Sequence, residues 1–163
     1  MKTKQEFSAG CVVFKKLKDK TIFLLGKHSG YHKWVLPKGL IEAGENSAQT
    51  AMRETEEEMG IKAEIINPKL IHTENYSYMA DFKAKKELAK NTRRVAKYQE
   101  QGGGQIKINK TVEFYLAKYV AGDSKNHGWE MEETGWFEID QALEIMGFEG
   151  EKQAIQKAKE IID

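Results

Sequence analysis

The sequence predicts an α/β fold, a mixed β-sheet with helices packed on it, formed by a single domain over residues 1–163. Three observations carry this. Segments rich in β-branched and aromatic residues alternate with helix-periodic ones in the order strands, helix, strands, helix. A chain of 163 residues is long enough to close one hydrophobic core without staples. Its composition, 40% hydrophobic and 31% charged, is ordinary for a globular protein.

Composition also excludes some classes. The one cysteine, Cys11, rules out an intrachain disulfide and a C-x-x-C metal site. No stretch reaches the roughly 18 apolar residues that a membrane-spanning helix needs. The opening "MKTKQEFSAG" lacks the apolar run of a signal peptide. The expectation is a cytoplasmic protein with no membrane partner.

"EFSAGCVVFKK" (6–16) and "IFLLGK" (22–27) read as two strands joined through "DKT", a hairpin. "HSGYHKW" (28–34) reads as a loop, and "VLPKGLIEAGE" (35–45), with Pro37, Gly39 and Gly44, as irregular backbone. A helix follows. Asn46 is its N-cap with Gln49 as capping-box partner, and Gly60 stands at its C-terminal stop. Between them Ala48, Ala51, Met52, Thr55 and Met59 share one arc and predict a core-facing stripe. "KAEII" and "KLIHTENYSY" read as strands, and "FKAKKELAKNTRRVAKYQEQ" (82–101) as a helix with a thin apolar stripe, ended by "GGG". "TVEFYLAKYV" (111–120) and "TGWFEI" (134–139) are strands; "DQALEIM" and "EKQAIQKAKEIID" are closing helices.

The net charge of +1 hides a strong asymmetry. Residues 83–110 hold nine Lys or Arg against two Glu, a net of +7, which leaves −6 for the rest. The acidic counterpart is "RETEEEMG" (53–60). A helix advances about 100° per residue, so Glu54, Glu57 and Glu58 share a face and Glu56 points away. Glu54 and Glu58 lie beside the apolar stripe, half-sheltered. Carboxylates crowded there raise one another's pKa, and a divalent cation bound by hard oxygen ligands, Mg²⁺ or Mn²⁺, relieves the repulsion.

The residues upstream sharpen this. "GLIEAGENSAQTAMRETEEEMG" places Gly39, Glu45, Arg53, Glu54, Glu57, Glu58 and Gly60 with five residues between the first two and seven between the next two. This resembles the Nudix box, G-x5-E-x7-R-E-U-x-E-E-x-G-U with U apolar; Ile61 fits the last U, and Thr55 is the one departure. The resemblance implies an α/β/α sandwich around a mixed sheet, the box forming loop–helix–loop. It implies hydrolysis of a pyrophosphate bond in a nucleoside diphosphate linked to X, with Mg²⁺ or Mn²⁺. By the same resemblance Glu54, Glu57 and Glu58 would ligate metal together with the Gly39 carbonyl. Glu45 and Arg53 complete the catalytic set, Arg53 by pairing with a box carboxylate. The base would be a helix glutamate or one from a later loop. For that loop "WEMEETGWF" offers Glu130, Glu132 and Glu133, and Glu132 is the preferred further ligand.

Substrate identity rests on neighbouring features. "WVLPKG" (34–39) resembles the lead-in of diadenosine tetraphosphate hydrolases, which implies a phosphate contact for Lys38, although Leu40 stands where many of them carry His. Diphosphoinositol polyphosphate phosphohydrolases use a similar lead-in. The C-terminal "ETGWFEIDQALEIMGFEGEKQAIQKA" also resembles the dinucleoside polyphosphate group. By the resemblance to tetraphosphate hydrolases, Tyr76, Tyr78 and Tyr115 are candidates for stacking an adenine, and Lys110 is a further candidate substrate-binding residue. His28 and His32 flank the lead-in loop as candidate substrate contacts, with no catalytic role expected of either. The expected partner is a small-molecule polyphosphate, foremost a dinucleotide, with diphosphoinositol, an RNA 5′ end or a nucleoside triphosphate as alternatives, and a non-catalytic nucleotide-binding module as the rival of another class. The basic segment is an insertion suited to gathering a polyanion through salt-sensitive attraction. Deleting 84–108 should therefore raise KM far more than it lowers kcat in steady-state assays; unchanged constants would remove the binding role.

Overall fold

The computed structural model describes residues 2–66, 70–81 and 104–163. In chain order these form β1 (Lys2–Leu17), β2 (Lys20–His28), β3 (Trp34–Val35), β4 (Lys38–Leu40), α1 (Ser47–Met59), β5 (Ile61–Ile65), β6 (His72–Asp81) and β7 (Gln105–Gly122). A 3₁₀ turn (Ser124–Asn126), β8 (Met131–Phe137), α2 (Ile139–Ile145) and α3 (Glu149–Ile162) complete the described chain. The helix expected over 82–101 lies outside the described residues. The strands form a sheet ordered β3-β2-β1-β7-β5, with β4 on β1, β6 on β7 and β8 on β2.

The residues divide into two compact units, 7–74 with 112–163 and 1–6 with 75–111. In the larger unit, the period-2 alternation of β1 sorts its side chains onto two faces. Ala9, Cys11 and Val13 pack with Ala51 and Met59 of α1. Val12 and Phe14 pack with Ala142 of α2 and with Ala154, Ile155 and Ala158 of α3. Helices thus cover both faces of the sheet, the α/β/α arrangement. Phe23, Leu24, Leu25, Phe114 and Leu116 are fully buried between them, each contributing on the order of 1.5–3 kcal/mol relative to exposure. In the smaller unit, Tyr78 packs on Ala80, Ile106 and Ile108, and its hydroxyl donates to Glu6 at 3.3 Å. No helix among the described residues is long and apolar enough to cross a membrane.

The β1–β2 hairpin closes through Lys18 and Asp19, with Leu17 opposite Lys20. The 35–45 stretch is more ordered than expected. Its Lys38–Leu40 segment pairs with Ser8–Gly10 of β1, because β1 supplies backbone partners at a point where Gly10 has no side chain. A Cβ there would overlap the Pro37 carbonyl, whose oxygen accepts from the Cys11 N–H. The apolar stripe of α1 needs one correction. Met52 is 39% exposed, while Thr50, Ala51, Thr55, Glu58 and Met59 are buried. Thr55 tolerates burial because its hydroxyl donates to the Ala51 carbonyl at 2.7 Å.

Both ends of α1 are capped by local chemistry. The Asn46 side chain accepts from the Gln49 N–H at 2.8 Å, and the Gln49 side chain accepts from the Asn46 N–H at 2.9 Å. Gly60 ends the helix at φ 72°, a left-handed conformation that glycine adopts without a steric penalty. Asn46→Ala should lower unfolding stability by about 1 kcal/mol, read from the urea midpoint at unchanged slope.

Candidate active site

The box is held together by one arginine. Arg53 Nε donates to Glu45 Oε2 at 2.6 Å and Nη2 to Glu45 Oε1 at 2.9 Å, a bidentate pair across eight residues. Its Nη1 donates to Glu54 Oε1 at 2.9 Å and Glu57 Oε2 at 3.2 Å, and Nη2 also reaches the Leu40 carbonyl at 3.2 Å. The planar fork with five donors makes this possible; a lysine could not match it. Glu45 is fixed further by the Thr50 hydroxyl at 2.8 Å and the Glu42 N–H at 3.1 Å. Arg53 foremost, with those two donors, pulls the Glu45 carboxyl down to about 2. The pairing expected for Arg53 is thus present, with Glu45 as the main partner.

Two box carboxylates sit deeper. Glu58 is 6% exposed, and its Oε1 accepts from the Lys38 N–H at 2.8 Å. Glu54 lies against the backbone at Gly39, where a Cβ would overlap its carboxyl. Gly39 is therefore required by close approach. Burial raises Glu54 to about 7 in spite of Arg53, with Glu57 and Glu130 pushing the same way. Burial, a hydrogen bond with Glu130, and the charges of Glu54 and Glu130 lift Glu58 well above the usual carboxylate range. Glu57 differs: its side chain is 58% exposed and leans on Arg53. Among the described residues, no three acidic or histidine side chains are drawn to one point as a closed cation cage.

The loop before β8 brings Glu130, not Glu132, to this cluster. β8 pairs with β2 through Lys27 opposite Glu133 and His28 opposite Met131, with a register shift between them. Glu132 falls in that irregularity and turns to His32 Nδ1 at 3.0 Å and Lys27 Nζ at 3.8 Å. Glu130 is positioned by Ser29, whose N–H and hydroxyl donate to its carbonyl at 2.8 and 2.9 Å.

Other expected contacts are placed elsewhere. The Lys38 ammonium is 2.7 Å from Glu151 Oε2 on α3 and only 16% exposed. Burial pulls its pKa down, but Glu151 and its neighbours outweigh that and leave it raised. Tyr115 is 8% exposed beneath α1, its hydroxyl 2.5 Å from Ser47 Oγ, so it presents no face for stacking. Tyr76 and Tyr78 lie in the smaller unit, Tyr76 38% exposed and Tyr78 packed as described. Lys110 is half-buried in the same unit. The His28 ring stacks on Tyr31 with centroids 3.9 Å apart. Sequence reasoning missed Glu151; the F-x-x-E at 148–151 was its one visible trace.

Glu54 and Glu58, both raised, offer only oxygen donors, as does Glu130 beside them, and such a set fits a hard divalent cation. The site also sets two opposite pH dependences. Glu45, depressed in the fold, contributes stability above pH 4.5 that is lost as pH falls toward 2. Glu54, raised in the fold, costs stability as pH climbs from 4.5 through about 7. The metal-free protein should melt at lower temperature at pH 8 than at pH 5.5, Glu54→Gln should flatten that fall, and Mn²⁺ should raise the melting temperature more at pH 8. Thermal melts across pH check all three.

A family model described as NUDIX domain matches residues 4–158. The asymmetrical bis(5′-nucleosyl)-tetraphosphatase of Rattus norvegicus is 28% identical over 163 residues, 95% of this chain and 94% of that one. Its namesake from Caenorhabditis elegans is 29% identical over 142 residues, 86% and 85% of the two chains. A MutT4-type protein of Mycobacterium tuberculosis is 27% identical over the whole chain, which spans 58% of that protein's length. The crystal structure of a C. elegans Ap4A hydrolase binary complex superposes with a TM-score of 0.63 at 24% identity, over 96% of this chain and 97% of that one. With the box geometry in place and the family match running nearly end to end, the chain belongs to the Nudix family, which acts on small-molecule nucleotide polyphosphates, and is a pyrophosphohydrolase.

Proposed function

We propose that this enzyme cleaves a dinucleoside polyphosphate of the diadenosine tetraphosphate class asymmetrically, giving a nucleoside triphosphate and a nucleoside monophosphate. The observation that carries the substrate class is the kinship with two asymmetrical tetraphosphatases over at least 85% of each chain. The reaction adds water to a phosphorus near one end of the chain of phosphates. The bridging P–O bond breaks, and a carboxylate of the cluster takes the water proton.

The residues suit this division of labour. Glu54, Glu57, Glu58 and Glu130, with the Gly39 carbonyl, would hold Mg²⁺ or Mn²⁺. A cation so held neutralises phosphate charge and lowers the pKa of a bound water. Arg53 orients Glu54 and Glu57 and keeps Glu45 as its own counterion. Glu58, anchored on the Lys38 amide, cannot swing away as charge builds. In-line phosphoryl substitution depends on this kind of positioning.

A panel with Mg²⁺ or Mn²⁺ tests the substrate: diadenosine tetraphosphate, a diphosphoinositol polyphosphate, 5′-triphosphorylated RNA and a damaged nucleoside triphosphate. The dinucleotide should have the highest kcat/KM; an inert dinucleotide beside an active competitor overturns the reading. Glu58→Gln keeps the acceptor for the Lys38 amide and removes the charge. It should lower kcat by about 10²-fold or more, while binding of a non-hydrolysable dinucleotide persists.

A further inference from the structure

Glu151 is 2% exposed, the most deeply buried acidic side chain among the described residues. Its two oxygens are divided between two points of one short turn. Oε1 accepts from the Leu36 N–H at 2.7 Å, and Oε2 meets the Lys38 ammonium at 2.7 Å. A carboxylate in such a place must be fully paired to stay ionised, and here both partners come from residues 36–38. The same Lys38 donates its backbone N–H to Glu58 Oε1 at 2.8 Å. Glu58 sits on α1, which packs on one face of the sheet; α3, the helix of Glu151, packs on the other. The turn at Lys38 is where the two faces are tied.

We infer that Glu151 is a positioning residue for the hydrolytic carboxylates, acting through Lys38. By gripping the Lys38 ammonium and the Leu36 amide it fixes the turn, so that the Lys38 amide stays on Glu58 and the Gly39 backbone stays against Glu54. Lys38 serves the reaction from inside the fold as the counterion of Glu151, and it is not a phosphate ligand. A freely mobile lysine would be drawn to solvent; this one is held on Glu151. The inference rests on the proposed function for its turnover readout, and on the cation-binding character of the cluster for its second readout.

The test compares wild type, Glu151→Gln, Lys38→Met, their double variant, and Lys38→Met with Glu151→Leu. Circular dichroism establishes folding, Mn²⁺ affinity is measured by calorimetry without substrate, and kcat and KM are measured on diadenosine tetraphosphate. Glu151→Gln should weaken Mn²⁺ binding and lower kcat by about 10–100-fold, the range seen when a group supporting metal ligands is removed, with KM changed less than about twofold. The double variant should be no worse than the poorer single, because both substitutions break one linkage. Unchanged Mn²⁺ affinity and kcat in folded Glu151→Gln overturn the inference, as does a Lys38→Met effect confined to KM and additive with Glu151→Gln. If Glu151→Gln does not fold, the Met/Leu pair replaces the ion pair by apolar packing; wild-type Mn²⁺ affinity in that variant overturns it equally. A wild type that binds Mn²⁺ but leaves the dinucleotide intact defeats only the substrate reading, since the Mn²⁺ comparison still decides this one. A wild type that binds no Mn²⁺ defeats both.

Discussion

The hydrogen bond from the Lys38 amide to the Glu58 carboxylate governs the site. It joins the helix that carries the acidic groups to the short strand that carries Gly39. Together with the pairing of Lys38–Leu40 on β1 and the Arg53 bond to the Leu40 carbonyl, it keeps the Gly39 backbone against the carboxyl of Glu54. The contact is possible only where side chains are missing. Gly10 admits the Pro37 carbonyl and Gly39 admits Glu54. A backbone donor also has an advantage over a side-chain donor: it has no rotamers to lose and cannot titrate.

Charge balance explains why these groups attract cations. Arg53 is close to Glu42, Glu45, Glu54 and Glu57, one positive charge against four carboxyl groups. Its shortest contact, and its one bidentate pair, goes to Glu45. Glu54 and Glu58 favour protons, first because they are buried and then because acidic neighbours repel their charge. Oxygen donors crowded and buried in this way also favour a divalent cation, which offsets their mutual repulsion.

The sequence showed what is decided locally and concealed what is decided by register. The helix from Ser47 to Met59 could be read because Asn46, Gln49 and Gly60 are its own neighbours, and capping is a short-range interaction. The box spacing was legible for the same reason. The choice between Glu130 and Glu132 was not, because strand residues alternate between faces and one irregularity opposite Lys27 and His28 reverses the alternation. Lys38 looked like a phosphate ligand because its partner lies more than a hundred residues away. Tyr115 looked available because an alternating strand pattern does not say which face the helix will cover. Met52 was counted as core on the same kind of arc that correctly placed Ala51 and Met59; the stripe is simply narrower than the periodicity allowed.

The loop that carries Glu130 is seated on the last turn of α1. The Gly128 N–H donates to the Glu58 carbonyl at 3.0 Å. A side chain on Gly60 would strike the backbone of Asn126, and one on Gly128 would strike the Glu57 carbonyl. The free carbonyls at the end of the helix are thus answered by a segment some seventy residues later in the chain. The spacing of Glu130 from Glu58 is set by this docking and not by the length of chain between them. Whatever moves the last turn of α1 must therefore carry the Glu130 loop with it.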